Sequence, residues 1–331
     1  MSTYDYDLPP DLIAQSGIEP RDAARLLVVR RASGEFSHRT VRELPEMVPA
    51  GALIVLNETR VWPARLLAHR GRLEVEVLLV RPHVPGRWLA LCRPAKRLRP
   101  GDRLRVDGGG ELGVEGRQGE FVVVSPDTDA RALMARAGRV PLPPYIAADL
   151  EDPERYQTVF GAAEGSVAAP TASLHLTHEL LARLEREFEV RRLVLHVGPG
   201  TFRPVRGDPA GHRVDPERFE IPDATAQAVN LARAEGRPVV AVGTTVTRAL
   251  ETVASEAGVV RAGAGETVLF IRPPYRFRVV DVLMTNFHLP RTTLLMLVAA
   301  FAGRDLVMRA YAEAIRERYR FYSLGDANLF L

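Results

Sequence analysis

The spacing of apolar residues changes at about residue 65 and again near residue 147, and this change narrows the possible folds more than any other feature. Between these positions residues 73–79 are apolar at every second place, and further short runs follow at 87–91, 103–106 and 120–124. Turn-forming residues, for example the glycines at 108–110, separate the runs. Closely spaced short strands of this kind are typical of small barrels, so residues 65–146 are predicted to form a β-barrel.

The flanking segments show a different pattern, in which helical apolar stripes alternate with short strands. An antiparallel hairpin is expected over residues 25–41, and Thr177 is placed to cap a helix. Both flanks together predict an α/β domain with a mixed sheet, built from residues 1–64 and 147–331, into which the barrel is inserted. Further strands are expected over 53–56, 192–197, 238–242, 268–271 and 279–284, and helices over 10–15, 127–137, 177–188, 224–235, 243–257, 293–302 and 305–319.

Composition excludes several kinds of chemistry. Cys92 is the only cysteine, which rules out an intramolecular disulfide and a cysteine-based zinc cluster. Lys96 is the only lysine, so catalysis through an imine is disfavoured. The longest apolar run, residues 294–302, is far shorter than the roughly 20 residues of a membrane span, and the first residues do not resemble a secretory signal. No heptad pattern is present, and a monomeric cytoplasmic protein is expected.

Positive charge is concentrated in the predicted barrel. Residues 65–146 carry 15 Arg and Lys against nine Asp and Glu, whereas the net charge of the whole chain is +3. Much of the excess lies between Arg87 and Arg105, around Arg93 and Lys96. A basic patch on one module suits a phosphate-backbone partner, although a solvated arginine-rich face has the same composition.

Three motifs follow predicted strands. The segment 196–202 contains a Gly-x-Gly, but Pro204 blocks the helix of a dinucleotide site, so the loop either approaches a flat ligand or is a plain turn. The turn at 243–245 and the following helix form either an anion site or a simple cap. The segment 285–290 places Asn286 and His288 at the end of a strand, where either ligand contact or a structural role is expected. No histidine spacing supports a metal site.

Along nearly its whole length the sequence resembles the S-adenosylmethionine:tRNA ribosyltransferase-isomerase family of queuosine biosynthesis. The matching segments include residues 56–61 (LNETRV), 93–96 (RPAK), 140–146 (VPLPPYI), 154–158 (ERYQT), 165–171 (GSVAAPT), 243–245 (GTT) and 285–290 (TNFHLP). Where many members carry His-x-Met-His-Ser-Glu, residues 212–217 read His-Arg-Val-Asp-Pro-Glu, so Asp215 replaces the second histidine.

The resemblance implies transfer of the ribosyl part of S-adenosylmethionine to a 7-aminomethyl-7-deazaguanine at the wobble position of tRNA with a GUN anticodon. The ribosyl part is isomerised into an epoxycyclopentanediol, giving epoxyqueuosine, while adenine and methionine leave. S-adenosylmethionine is then a co-substrate, and no metal, further cofactor or obligate protein partner is implied. A small-molecule acceptor and a non-catalytic RNA-binding protein are the alternative interpretations.

Candidate site residues follow from the demands of this reaction. A general base is needed near the sulfonium, and neutral histidine suits proton transfer near neutral pH. The candidates for proton transfer are His175, His196 and His288, with Glu217 as a carboxylate alternative. Candidates for binding ribose hydroxyls or the methionine carboxylate are Asn57, Thr59, Arg60, Asn286, Gly243, Thr244 and Thr245. Arg93 and Lys96 are expected to meet RNA phosphates, and Tyr145 or Tyr156 to stack on a base. The remaining substrate-binding candidates are Arg155, Gln157, Pro170, Thr171, Gly198, Thr201 and Arg248.

Overall fold

The protein is described by a computed structural model that covers residues 4–146, 152–202, 205 and 208–331. The chain folds into two compact units, one of residues 1–59, 144–163 and 169–331 and the other of residues 60–143 and 164–168. The first contains a mixed nine-stranded sheet and the second a closed antiparallel barrel. The predicted fold class, a mixed-sheet α/β domain with an inserted β-barrel, is confirmed.

Strands and helices are numbered here along the chain. The strands are β1 Arg25–Val29, β2 Phe36–Thr40, β3 Leu53–Asn57, β4 Thr59–Val61, β5 Arg65–Arg70, β6 Leu73–Val84, β7 Arg87–Arg93, β8 Arg103–Val106, β9 Glu111–Gln118, β10 Phe121–Pro126, β11 Ala163–Ser166, β12 Glu189–Leu195, β13 Glu217–Ile221, β14 Val239–Val242, β15 Gly263–Thr267, β16 Val282–Asn286 and β17 Ala327–Phe330. The α-helices are α1 Leu44–Met47, α2 Ala130–Ala137, α3 His178–Glu187, α4 Asp223–Ala234, α5 Thr244–Val253, α6 Thr293–Ala302 and α7 Arg304–Arg316. None of the helices within the described ranges is long and apolar enough to cross a membrane.

The large sheet has the strand order β15-β13-β12-β3-β14-β16-β17-β1-β2. Strands β12, β3, β14 and β16 run parallel, so their carboxyl ends lie at one edge of the sheet. Every residue of β3, β14 and β16 is buried, which explains why these segments read as continuous apolar runs rather than alternating ones. On one face, Leu180 and Leu184 of α3 share a core with Ile54 and Leu56 of β3. The Thr177 side chain accepts a hydrogen bond from the Leu180 N–H, as predicted for the cap of α3.

Strand β17 was not predicted from the sequence. It pairs antiparallel with β16 and parallel with β1, and so joins the predicted β1–β2 hairpin to the parallel strands. Asp326, just before β17, accepts hydrogen bonds from the backbone N–H groups of Arg25 and Arg320. Four residues near the end of a chain offer too short a pattern to identify a strand, and tertiary pairing decides the outcome.

Three expected elements differ most from the structure, and the helices expected over 243–257 and 305–319 end at Val253 and Arg316. Residues 268–271 do not form a strand; the edge strand is β15, whose glycines and exposed residues lack an apolar pattern. The strand expected over 279–284 begins only at Val282. Residues 10–15 contain a single 3-10 turn, Pro10–Leu12, rather than a helix.

The barrel closes in the order β10-β7-β6-β5-β8-β9. Val75, Val77 and Leu79 of β6 point into its core, in agreement with their period of two. Strands β5 and β9 are not predicted from the sequence, because charged residues and glycines weaken their apolar alternation. Helix α2 begins at Ala130, and the side chain of Asp129 accepts a hydrogen bond from the Ala132 N–H at its first turn.

Candidate active site at the carboxyl edge of the sheet

The turn between β14 and α5 lies at the carboxyl edge of the parallel strands. Gly243 has φ 106° and ψ 150°, a conformation that essentially only glycine adopts without strain. Thr244 then begins α5, whose first backbone N–H groups carry the positive end of the helix dipole. The Thr245 hydroxyl accepts a hydrogen bond of 3.1 Å from the side-chain amide of Asn57 at the end of β3. The predicted strand, glycine turn and helix N-terminus are all present.

Asn57 is a structural bridge within this edge. Its Nδ2 donates to the Leu195 carbonyl (2.9 Å) as well as to Thr245, and its Oδ1 accepts from the N–H groups of Leu195 (3.0 Å) and Thr59 (3.2 Å). The side chain is fully buried. Asn57 was predicted to bind substrate, but these contacts occupy both ends of its amide, so its role here is to hold β3, β12 and the turn together.

Asn286, the last residue of β16, is oriented from two sides. The Thr171 hydroxyl donates to its Oδ1 over 2.9 Å, so the amide nitrogen faces His175 Nε2 at 3.2 Å. Asn286 therefore donates to a ring nitrogen that must be unprotonated. Burial lowers the pKa of His175 to about 4, which keeps the ring neutral at neutral pH. The structure brings these three predicted site residues together as a hydrogen-bonded chain.

His288 lies two residues beyond the end of β16 and is buried. Its Nε2 is 3.0 Å from the Thr285 hydroxyl, and its backbone N–H donates to the Tyr311 hydroxyl over 3.0 Å. The Tyr6 hydroxyl donates to the His288 carbonyl. Burial lowers the pKa of the His288 ring to about 3, so protonation requires strongly acidic conditions.

His196 follows β12 and is the least buried of the three candidate histidines. Its Nδ1 lies 2.8 Å from the Thr59 hydroxyl, which orients the ring. Burial, and secondarily the charge of Arg218, lower the pKa of His196, and the structure again favours a neutral ring. The next residue, Val197, lines a cavity at this edge of the sheet.

Glu217 and Arg248 form a buried ion pair. The Arg248 guanidinium donates through Nη1 to Glu217 Oε2, and Glu217 Oε1 accepts the Gly198 N–H over 2.8 Å. Arg248 Nε donates to the Leu269 carbonyl over 3.1 Å. Because both oxygens of the Glu217 carboxylate accept hydrogen bonds from protein donors, this geometry favours a structural or binding role for Glu217 over proton transfer.

Two cavities lie along this edge and share Leu294 in their walls. The first contains the Glu217–Arg248 pair. The second cavity is lined by a set of polar and small groups that includes the predicted residues Pro170, Thr171, Gly243, Thr244, Thr245, Asn286 and His288. Its remaining lining includes Thr285, Tyr322 and Ser323. Thr285 lies in the predicted 285–290 segment without having been a candidate itself, and sequence reasoning missed Tyr322 and Ser323.

His175 lines a third cavity instead, together with Arg21, Arg155 and Ser323. Arg155 donates to the Ile18 carbonyl over 3.0 Å, and the Gln157 carbonyl accepts from Arg21 over 2.6 Å. These predicted binding residues are thus held by protein contacts. Ser323 also lines the second cavity, so His175 and Asn286 lie between the two spaces.

The remaining predicted residues are distributed more widely. Tyr156 is fully buried, and the Tyr145 ring packs against Tyr322 at 4.2 Å while its hydroxyl accepts the Ser323 N–H. The Tyr156 ring is therefore not presented for stacking on a base, whereas the Tyr145 ring is half-buried. Arg60, Arg93 and Lys96 belong to the barrel unit, where Arg93 and Lys96 are exposed. The Thr201 side chain lies outside the described residues, and in the described ranges no group of three His, Cys, Asp or Glu side chains is placed to hold a metal ion.

Polar side chains at the carboxyl edge of parallel strands, around open cavities, define an α/β protein with a ligand site of the kind found in enzymes of this class. A family model described as queuosine biosynthesis protein matches residues 1–330. The chain therefore belongs to the queuosine biosynthesis protein family, and the resemblance seen in the sequence is confirmed.

Individual relatives extend along the full chain. The S-adenosylmethionine:tRNA ribosyltransferase-isomerase of Thermus thermophilus is 56% identical, with 100% of this chain and 99% of that protein covered. The enzyme of the same name from Symbiobacterium thermophilum is 52% identical with the same coverage. A crystal structure of S-adenosylmethionine tRNA ribosyltransferase from Thermotoga maritima has 37% identity and a TM-score of 0.58, covering 99% of this chain and 100% of that one.

Proposed function

We propose that this chain is an S-adenosylmethionine:tRNA ribosyltransferase-isomerase of queuosine biosynthesis. It transfers the ribosyl part of S-adenosylmethionine to 7-aminomethyl-7-deazaguanine at the wobble position of a GUN-anticodon tRNA and isomerises it, giving epoxyqueuosine and releasing adenine and methionine. The observation that carries the proposal is the cavity at the carboxyl edge of the sheet, where Thr244, Thr245, Asn286 and His288 converge. Full-length relatives of that name support the same activity.

The histidines divide into two roles. The sulfonium acidifies the ribose C5′ protons, and their removal requires a neutral base close to neutral pH. His196 is that base, because its ring is the most accessible of the three and its Nδ1 is held by Thr59. His175 and His288, deeply buried and with pKa values of about 4 and 3, orient Asn286 and the loop after β16.

The second cavity binds the nucleoside part of S-adenosylmethionine. The Asn286 amide is fixed by Thr171 and His175, so it presents a defined donor and acceptor without rotating. Thr244 and Thr245 add hydroxyls at the N-terminus of α5. Such groups recognise ribose hydroxyls and stabilise departing adenine by hydrogen bonding.

The barrel unit provides the contact to RNA. Arg93 and Lys96 are exposed and lie in the most basic segment of the chain, where they meet phosphates of the anticodon arm. The protein acts in the cytoplasm, with S-adenosylmethionine as co-substrate and no further cofactor.

Product release distinguishes this proposal from its alternatives. The full chain is incubated with S-adenosylmethionine, with and without an anticodon stem-loop that carries the aminomethyl-deazaguanine, and free adenine and methionine are measured. Release that requires the modified stem-loop supports the proposal. Release without RNA indicates a small-molecule acceptor, and stem-loop binding without any release indicates a non-catalytic RNA-binding protein.

A further inference from the structure

Arg248 carries a hydrogen-bond donor that the surrounding protein leaves unused. Nη1 pairs with Glu217 and Nε donates to the Leu269 carbonyl, but Nη2 is buried and has no hydrogen-bond partner among the described residues. The side chain is only 8% exposed. Buried guanidinium nitrogens are normally satisfied, so an unpartnered one on a side chain that lines a cavity points to a ligand oxygen as its partner.

The walls of this cavity combine both charges with an apolar surface. Arg213 and Asp215 join Glu217 and Arg248 in its lining, and Phe270 belongs to its apolar part. A phosphate with its multiple negative charges is poorly suited to a space that contains two carboxylates. A zwitterion with an apolar chain, in contrast, matches a guanidinium, a carboxylate and a hydrophobic wall at the same time.

We infer that this cavity binds the amino-acid end of S-adenosylmethionine, with its carboxylate on Arg248 Nη2, its ammonium towards Asp215 and its methylene chain along the apolar wall. The inference rests on the proposed function, which supplies S-adenosylmethionine as the ligand. Leu294 lines both this cavity and the one assigned to the nucleoside, so one extended molecule fills the two spaces.

The first test compares ligands on the unaltered full chain. Calorimetry measures the affinity for S-adenosylmethionine, for its decarboxylated form and for 5′-methylthioadenosine, which lacks the amino-acid end. A hydrogen bond to a charged group predicts that loss of the carboxylate weakens binding roughly tenfold to hundredfold. Equal affinity for S-adenosylmethionine and its decarboxylated form would overturn the inference, whatever any variant shows.

The second test uses Arg248→Lys, which preserves a cation for Glu217 but removes the forked guanidinium. It should lose most of the preference for S-adenosylmethionine over the decarboxylated ligand while binding methylthioadenosine as before. Arg278→Lys is the control, because Arg278 donates to the Ala254 carbonyl and does not line the cavity. If Arg248→Lys kept the full preference, the carboxylate would have another partner and the assignment would be wrong.

The two proposals fail separately. Turnover of the modified stem-loop without any carboxylate preference overturns the cavity assignment alone. Carboxylate-dependent binding of S-adenosylmethionine without turnover overturns the tRNA reaction alone. Absence of any binding to S-adenosylmethionine overturns both.

Discussion

At the scale of single residues, His196 and His288 show how burial divides similar side chains between different tasks. Solvent reaches part of the His196 ring, whereas His288 is 4% exposed and makes its hydrogen bonds inside the protein. A ring that titrates far below neutral pH is a weak base, and a ring that remains partly accessible can exchange protons with substrate and water.

His196→Ala should lower kcat by about 10² to 10⁴, the usual contribution of a positioned general base, while the free energy of unfolding changes little. Because the pKa of His196 is lowered from its ordinary value of 6.5, the neutral form persists into more acidic solution, and kcat/KM in the unaltered protein should fall at a lower pH than for an ordinary histidine. His178→Ala, an exposed histidine on α3, is the control. Turnover of His196→Ala close to that of the control would remove His196 as the base.

His288 should contribute to the pH dependence of stability. Its folded-state pKa is about 3 against an ordinary value of 6.5, so between these values the unfolded chain binds the extra proton. The contribution of neutral His288 to the free energy of unfolding is fully present above pH 6.5. It is lost as the pH falls below that value, by at most about 1.4 kcal/mol per pH unit. The free energy of unfolding, measured with urea at pH 7 and pH 5, should fall less between the two pH values for His288→Gln than for the exposed control His178→Gln. Equal losses in both variants would contradict this account.

At the scale of elements, the turn from β14 into α5 connects backbone conformation to the site. Gly243→Ala should destabilise the protein by about 1–3 kcal/mol, because the conformation at φ 106° and ψ 150° is almost closed to other residues, and should also reduce turnover. Gly236→Ala provides the comparison, since Gly236 has φ 69° at the end of α4 and an added methyl group there meets nothing. Gly236→Ala should lower the free energy of unfolding less than Gly243→Ala does, and it should leave turnover intact. A larger loss for Gly236→Ala would mean that the β14–α5 turn is not the constrained element.

The same turn illustrates what a sequence alone can predict. The apolar run before Gly243, the glycine and the two threonines identify strand, turn and helix locally, and the structure agrees. The pairing of Glu217 with Arg248 could not be read in this way, because it joins β13 to α5 across 31 positions of the sequence. Asn57 was a polar residue at a strand end, and only the structure shows that its amide is fully used within the protein.

At the scale of the whole molecule, composition located the basic barrel but could not assign its partner. If the barrel binds RNA through phosphates, the affinity for the anticodon stem-loop should fall steeply with salt. Arg93→Ala and Lys96→Ala should each reduce the slope of log K against log salt by about 0.7–0.9. Arg304→Ala, on an exposed residue of α7 in the other unit, should leave the slope unchanged. A slope that depends on Arg304 rather than on the barrel residues would place the RNA elsewhere.

In the proposed reaction, this chain moves the ribosyl part of S-adenosylmethionine onto tRNA. Mass spectrometry of the aminomethyl-deazaguanine stem-loop, after incubation with S-adenosylmethionine labelled with ¹³C throughout its ribose, tests this directly. We expect the stem-loop to gain the mass of an epoxycyclopentanediol that retains all the ribose label. A stem-loop of unchanged mass in the presence of folded, ligand-binding protein would contradict it, as would a modified stem-loop without the label.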